Sequence, residues 1–117
     1  DFFKVMERWI HDGIAVPGAV FEEFVRECYQ KNSLIKNRLR IGTDKVSLER
    51  IACPVLNLMA EEDHLVPPES SRALEKILGQ KVTSWEFPAG HIGLAVGAKA
   101  HRELWPKVAR WLGLATK

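Results

Sequence analysis

The sequence predicts an α/β fold built on a parallel sheet. Three observations lead there: two β-rich runs, Pro54 to Ala60 and Lys81 to Phe87, flank a helical pattern; the first run is almost continuously apolar; and each run ends in a polar loop. A continuously apolar strand suits a sheet covered on both faces, whereas a strand with one wet face alternates.

The elements follow in order. Phe2, Met6, Trp9 and Ile10 recur at helical spacing, and Gly13 is the expected stop. Pro17-Gly18 opens a second helical pattern, with Phe21, Phe24, Val25 and Cys28 on one face and Glu22, Glu23, Arg26 and Glu27 on the other. The spacing predicts an amphipathic helix that packs on a core and ends near Asn32-Ser33. Leu39 and Ile41 alternate with Arg38 and Arg40 before Gly42-Thr43-Asp44, the pattern of a small hairpin or extended arm. After the first strand, Glu61 to Pro68 form a loop, and Ala73, Leu74, Ile77 and Leu78 mark a helix over Glu69 to Leu78 with Gly79 as its C-cap. Beyond the second strand Pro88-Ala89-Gly90-His91-Ile92-Gly93 reads as a turn. A last helix is expected from about Glu103 to Leu112, with Pro106 in its first turn and Gly113 at its end.

Composition bounds the function. The 117 residues include 17 basic and 15 acidic side chains, a formal charge of +2, with 46% hydrophobic and 27% charged residues. These values describe one domain at most and exclude a disordered, collagen-like or disulfide-dense chain. A chain of this length buries roughly two thirds of the surface its unfolded form exposes, enough for one modest core. The longest nearly apolar stretch, Ile51 to Ala60, is interrupted by Pro54 and Asn57 and falls far short of the ~20 residues of a membrane span. Asp1-Phe2-Phe3-Lys4 has no secretory pattern, and the absent initiator Met points to a fragment. Cys28 and Cys53 have neither Cys-x-x-Cys spacing nor a neighbouring His pair, so the expectation is two buried thiols in a reducing compartment, with no metal site. Lys36, Arg38, Arg40 and Lys45 are separated by apolar residues and read as a solvated face rather than a nucleic-acid surface.

The chemistry lies at the strand ends. A right-handed crossover between parallel strands puts both carboxyl ends, and the loops that follow them, on one rim, where open α/β sheets hold their ligands. The first loop offers Glu61, Glu62, Asp63 and His64; the second offers His91 between Gly90 and Gly93. Neighbouring strands lie about 4.8 Å apart, so a carboxylate from one loop can meet an imidazole from the next. Such a pair is the back half of a catalytic triad, because the carboxylate fixes the tautomer of the imidazole and supports its protonated form. His64 diverges from its neighbour Asp63 and is assigned a substrate-facing role; His101 is expected in solvent and His11 at the end of the first helix, facing its dipole. A triad also needs a nucleophile on a Gly-x-Ser-x-Gly elbow or its Cys equivalent. None occurs here, and the chain order nucleophile, acid, His places it upstream of Asp1.

Glu62-Asp63-His64-Leu65-Val66-Pro67 and Gly90-His91-Ile92-Gly93, preceded by Trp9, Asp12, Pro17-Gly18, Phe21, Tyr29 and Asn32-Ser33-Leu34, resemble the carboxyl-terminal portion of polyhydroxyalkanoate synthases, most closely the shorter two-component kind. The resemblance runs from Trp9 to Leu112; Ala89 stands where most members carry Gly or Ser before Gly-His. It implies the carboxyl-terminal part of an α/β-hydrolase fold, with two parallel strands and flanking helices in residues 49–117 and the end of a helical cap in residues 1–48. It also implies a Cys-Asp-His triad in which His91 activates an upstream Cys and Asp63 either orients His91 or helps activate the incoming hydroxyl, with His64 and Ile92 facing substrate. The substrate would be a 3-hydroxyacyl-CoA thioester, with no cofactor, and the growing polyester would stay attached to a cytoplasmic enzyme at a granule surface. The implied protein partner is a second copy or a partner synthase subunit. A thioesterase, lipase or polymer depolymerase would use the same Asp and His, and an oligomerisation module would use neither.

Overall fold

The protein is described by a computed structural model covering residues 2–115. Helix α1 spans Phe2–His11 and closes where His11 donates from Nδ1 to the Glu7 carbonyl at 2.8 Å. Helix α2 spans Gly18–Phe24 and widens into a π-helical turn over Val25–Gln30. Asn32, at a φ of 53°, reverses the chain there. The reversal is tied down by Glu27, which accepts from the Lys31 ammonium and from the hydroxyl of the buried Ser33, both at 2.8 Å. These two donors, Lys31 first, hold the Glu27 carboxyl down at about 2. A two-residue hairpin follows, β1 (Arg40–Ile41) against β2 (Asp44–Lys45), with Gly42 in the left-handed region at its tip.

The remainder positions the site. Strand β3 (Val55–Ala60) and strand β4 (Val82–Phe87) pair in parallel, from Val55 opposite Val82 to Ala60 opposite Phe87, and are joined by helix α3 (Pro68–Leu78). Pro67 and Pro68 start α3 without needing the backbone donors they lack. Its end is Gly79, whose φ of 56° favours glycine. Helix α3 covers one face of the sheet: Asn57 donates to the Ser71 carbonyl at 3.1 Å, and Arg72 pairs with Glu86. The polar Asn57 within an apolar strand is therefore a tie to the crossover helix. The opposite face is covered by α4 (His91–Val96), α5 (Ala98–Glu103) and α6 (Trp105–Ala115). Phe87, Ala100 and Leu104 form the buried centre there, with Leu58, Trp85, Ala89, Leu94, Trp105 and Val108 packed around it. The result is mixed helix and strand with a small parallel sheet covered on both faces.

Several expectations are corrected. His91 does not lie in a turn but is the first residue of α4, because Gly90 stays extended and the Leu94 N–H bonds its carbonyl at 3.0 Å. The last helix, α6, does start with Pro106 in its first turn, but a separate helix that was not expected, α5, precedes it and stops at Glu103, because the peptide at Pro106 has no N–H to continue the ladder. Helix α6 also passes through Gly113 to Ala115, a glycine inside a helix costing only about 1 kcal/mol. Finally, Cys53 is exposed and Cys28 half-buried, and the apolar face of α2 is largely uncovered, with Phe21 61% and Phe24 50% exposed. Among the described residues no helix is long and apolar enough to cross a membrane.

Leu104 is 3% exposed at the centre of the main cluster. Leu104→Ala is expected to lower unfolding free energy by about 2–5 kcal/mol, the range for a buried leucine replaced by alanine, as read from the shift of a urea denaturation midpoint.

Candidate active site

The β3–β4 ladder continues past the ends of the strands. The Glu61 N–H donates to the Phe87 carbonyl and the Glu62 N–H to the Ala89 carbonyl, each at 3.0 Å, so the two rim loops are bonded to one another before either carries a functional side chain. Asp63 is the next residue on one loop and His91 lies two residues past Ala89 on the other.

Their side chains meet: His91 Nδ1 lies 2.8 Å from Asp63 Oδ2. A carboxylate can only accept at this contact, so Nδ1 carries the proton and the lone pair is on Nε2. The other carboxylate oxygen, Oδ1, accepts the N–H groups of Leu65 at 2.9 Å and Val66 at 2.8 Å, a turn in which an Asp side chain substitutes for a backbone acceptor. Asp63 is thus bonded at both oxygens and its side chain is 7% exposed, while that of His91 is 46% exposed. The Val66 N–H, with the His91 and Leu65 hydrogen bonds, holds the Asp63 carboxyl below the usual range against the opposing cost of burial. An ionised, sequestered acceptor behind an accessible imidazole can keep that imidazole in one tautomer and orientation while it exchanges protons with another molecule.

The other candidates are placed as follows. His64 and Ile92 are exposed on either side of the pair in sequence, and His101 is exposed on α5. Glu61 and Glu62 are exposed and enter the site through their backbone N–H groups. The Leu65 and Val66 amides that anchor Asp63 were not singled out from the sequence, although an Asp followed by a chain turning toward Pro67 carries that signal. Among the described residues no group of three or more His, Cys, Asp or Glu side chains is placed to hold a metal ion.

The site is thus a hydrogen-bonded Asp–His pair on the rim of a parallel strand–helix–strand unit. The chain's sequence relatives point to a family. The chain is 44% identical over 110 residues to the poly(3-hydroxyalkanoate) polymerase subunit PhaC of Haloarcula marismortui, covering 93% of this chain and 23% of that protein. It is 44% identical over 112 residues to the PhaC subunit of Synechocystis, and 41% over 111 residues to that of Allochromatium vinosum, covering 94% of this chain in each case and 30% and 31% of those proteins. Over nearly its whole length the chain is homologous to part of these poly(3-hydroxyalkanoate) polymerase subunits, and it spans between a fifth and a third of the length of the relatives it matches. No family model matches it, and no solved structure matches it.

Because the folded-state value of Asp63 is lowered, its hydrogen bonds are at full strength above the ordinary carboxylate range, near pH 4, and are lost as pH falls through the lower value. Amide hydrogen exchange at Leu65 and Val66 is expected to show this. Asp63→Ala should raise exchange at both amides on the order of tenfold at neutral pH, whereas Asp63→Asn, which keeps an acceptor oxygen, should retain protection and lose its acid dependence.

Proposed function

We propose that this chain is the part of a poly(3-hydroxyalkanoate) polymerase that supplies the acid and base of a Cys-Asp-His triad on an α/β-hydrolase fold. Residues 49–117 would be the carboxyl-terminal part of the catalytic core and residues 1–48 the end of a cap. The observation that carries the reading is the 2.8 Å contact between His91 Nδ1 and Asp63, which leaves Nε2 free on an accessible ring. The relatives' names supply the reaction class, polymerisation of 3-hydroxyalkanoates. The sequence holds no Gly-x-Cys-x-Gly or Gly-x-Ser-x-Gly elbow, so the thiol comes from another part of the polymerase.

In this reading His91 Nε2 takes the proton of the cysteine thiol, and the thiolate attacks the thioester carbonyl of a 3-hydroxyacyl-CoA. The tetrahedral intermediate expels the CoA thiolate, which receives the proton from His91, and the acyl group remains on the cysteine. The 3-hydroxyl of the cysteine-bound chain then loses its proton to Nε2 and attacks the thioester carbonyl of the next 3-hydroxyacyl-CoA, forming an ester and lengthening the polymer as the CoA thiolate leaves and takes the proton back from His91. Both Asp63 oxygens are already engaged, which favours the orienting role over direct activation of the hydroxyl. His64 and Ile92 are exposed beside the pair and would meet the substrate.

The experiment is turnover of 3-hydroxybutyryl-CoA, followed by CoA release, in an intact polymerase subunit carrying this segment. His91→Ala is expected to lower kcat by roughly 10³-fold or more, and Asp63→Asn by roughly 10²- to 10⁴-fold. The 117-residue chain alone should release no CoA. Unchanged turnover with His91→Ala would overturn the reading.

Trp9 and Ile10 on α1 and Phe21 and Phe24 on α2 are each half exposed or more, and large apolar side chains left uncovered in this number ordinarily belong to an interface. The chain is expected to associate with a second copy or with the rest of a polymerase subunit. Sedimentation velocity over a concentration series should show species larger than monomer, and a strictly monomeric chain at high concentration would contradict this.

A further inference from the structure

We propose that Trp105, assisted by Gly97, is the positioning residue for His91: it pins the carboxyl-terminal end of α4 and thereby holds the imidazole at the Asp63 carboxylate. Helix α4 has only six residues, and a helix of that length is not stable by itself. His91 is its first residue, so the ring goes where the helix goes. Besides the His91–Asp63 bond and the packing of α4 beside β3 and α5, three contacts bear on its carboxyl-terminal half. The Leu94 side chain packs on the core around Phe87, Ala100 and Leu104. The Gly97 N–H donates to the Gly93 carbonyl at 3.0 Å. The indole N–H of Trp105 reaches from the start of α6 to the Ala95 carbonyl at 2.9 Å, one of the acceptors that the last turn of a helix leaves without an intrahelical partner.

The last contact differs in kind from the others. Trp105 belongs to another helix and packs on the main core, so its donor is referenced to the body of the fold rather than to α4 itself. Gly97 makes the approach possible. Its φ of −67° is open to any residue, but a Cβ there would fall inside contact distance of the Gly93 carbonyl oxygen, so the requirement is steric rather than conformational. A side chain at this position would push the chain away from α4 and break the Gly97–Gly93 bond. Loss of either contact weakens the hold on the carboxyl-terminal end of α4 and lets the helix tilt about its amino-terminal end, where His91 stands.

The inference rests on the reading of Asp63 and His91 as the reacting pair, and the test separates the two. In the chain labelled with ¹⁵N-histidine, the Nδ1 proton of His91 reports the bond to Asp63 directly, without any activity. Trp105→Phe keeps a ring and removes the donor; its solvent exchange at that proton is expected to rise on the order of tenfold, as for the loss of one hydrogen bond. Gly97→Ala should move the signal the same way. Leu78→Ala, which removes a buried side chain on α3, should lower stability and leave the signal where it is. Should Trp105→Phe fail to fold, site-specific replacement of Trp105 by benzothienylalanine, which has the shape of tryptophan without its N–H, gives the same readout. A His91 signal unchanged in the folded donor-less variant overturns the proposal. In an intact polymerase subunit, Trp105→Phe should lower kcat for 3-hydroxybutyryl-CoA with KM nearly unchanged; a displaced His91 signal with unaltered kcat would support the positioning and overturn the catalytic role of the pair.

Discussion

Two backbone hydrogen bonds just beyond the sheet hold the rest in register. With the Glu61 N–H on the Phe87 carbonyl and the Glu62 N–H on the Ala89 carbonyl, the parallel ladder does not fray at its carboxyl end but runs into the loops. Asp63 and His91 are then placed by the backbone, and their side chains only have to complete a contact already set up. The arrangement also depends on strand register, because a slip of one residue would turn every side chain to the opposite face and carry Asn57 away from Ser71 and Phe87 away from the main core. The apolar residues of β3 and β4 thus serve the site indirectly: burial on two faces makes the register costly to change.

The parallel pair was legible in the sequence because its signals are local. A run of β-forming residues, a crossover long enough for a helix and a glycine at its end leave few topologies. The meeting of Asp63 and His91 followed from the rule that both loops share a rim. What escaped depends on contacts distant in sequence. Gly90 and Gly93 around His91 suggest a turn, yet the segment is helical because Leu94 packs, half-buried, on the main core and the Ala95 carbonyl finds the Trp105 indole. The division between α5 and α6 is visible as Pro106, but only the structure shows that a helix also precedes it. Periodicity identified the apolar face of α2 and said nothing of what covers it, so Phe21 and Phe24 were expected in a core and are exposed. The second role of Asp63, as acceptor for two backbone amides, is a property of one side chain's geometry that spacing does not encode.

The partition of exposure within the pair follows from those amides. Binding Leu65 and Val66 draws the carboxylate under the loop, whereas His91, at the open end of a short helix, stays on the outside. One loop turn therefore separates a sequestered carboxylate from an accessible imidazole.

The two residues of the pair are 28 positions apart and belong to a single strand–helix–strand unit. Everything that brings them together lies within that unit and the helices that follow it. In mechanical terms such a segment is self-contained, since the contact is set by one continuous stretch of chain and does not wait on a residue brought from elsewhere.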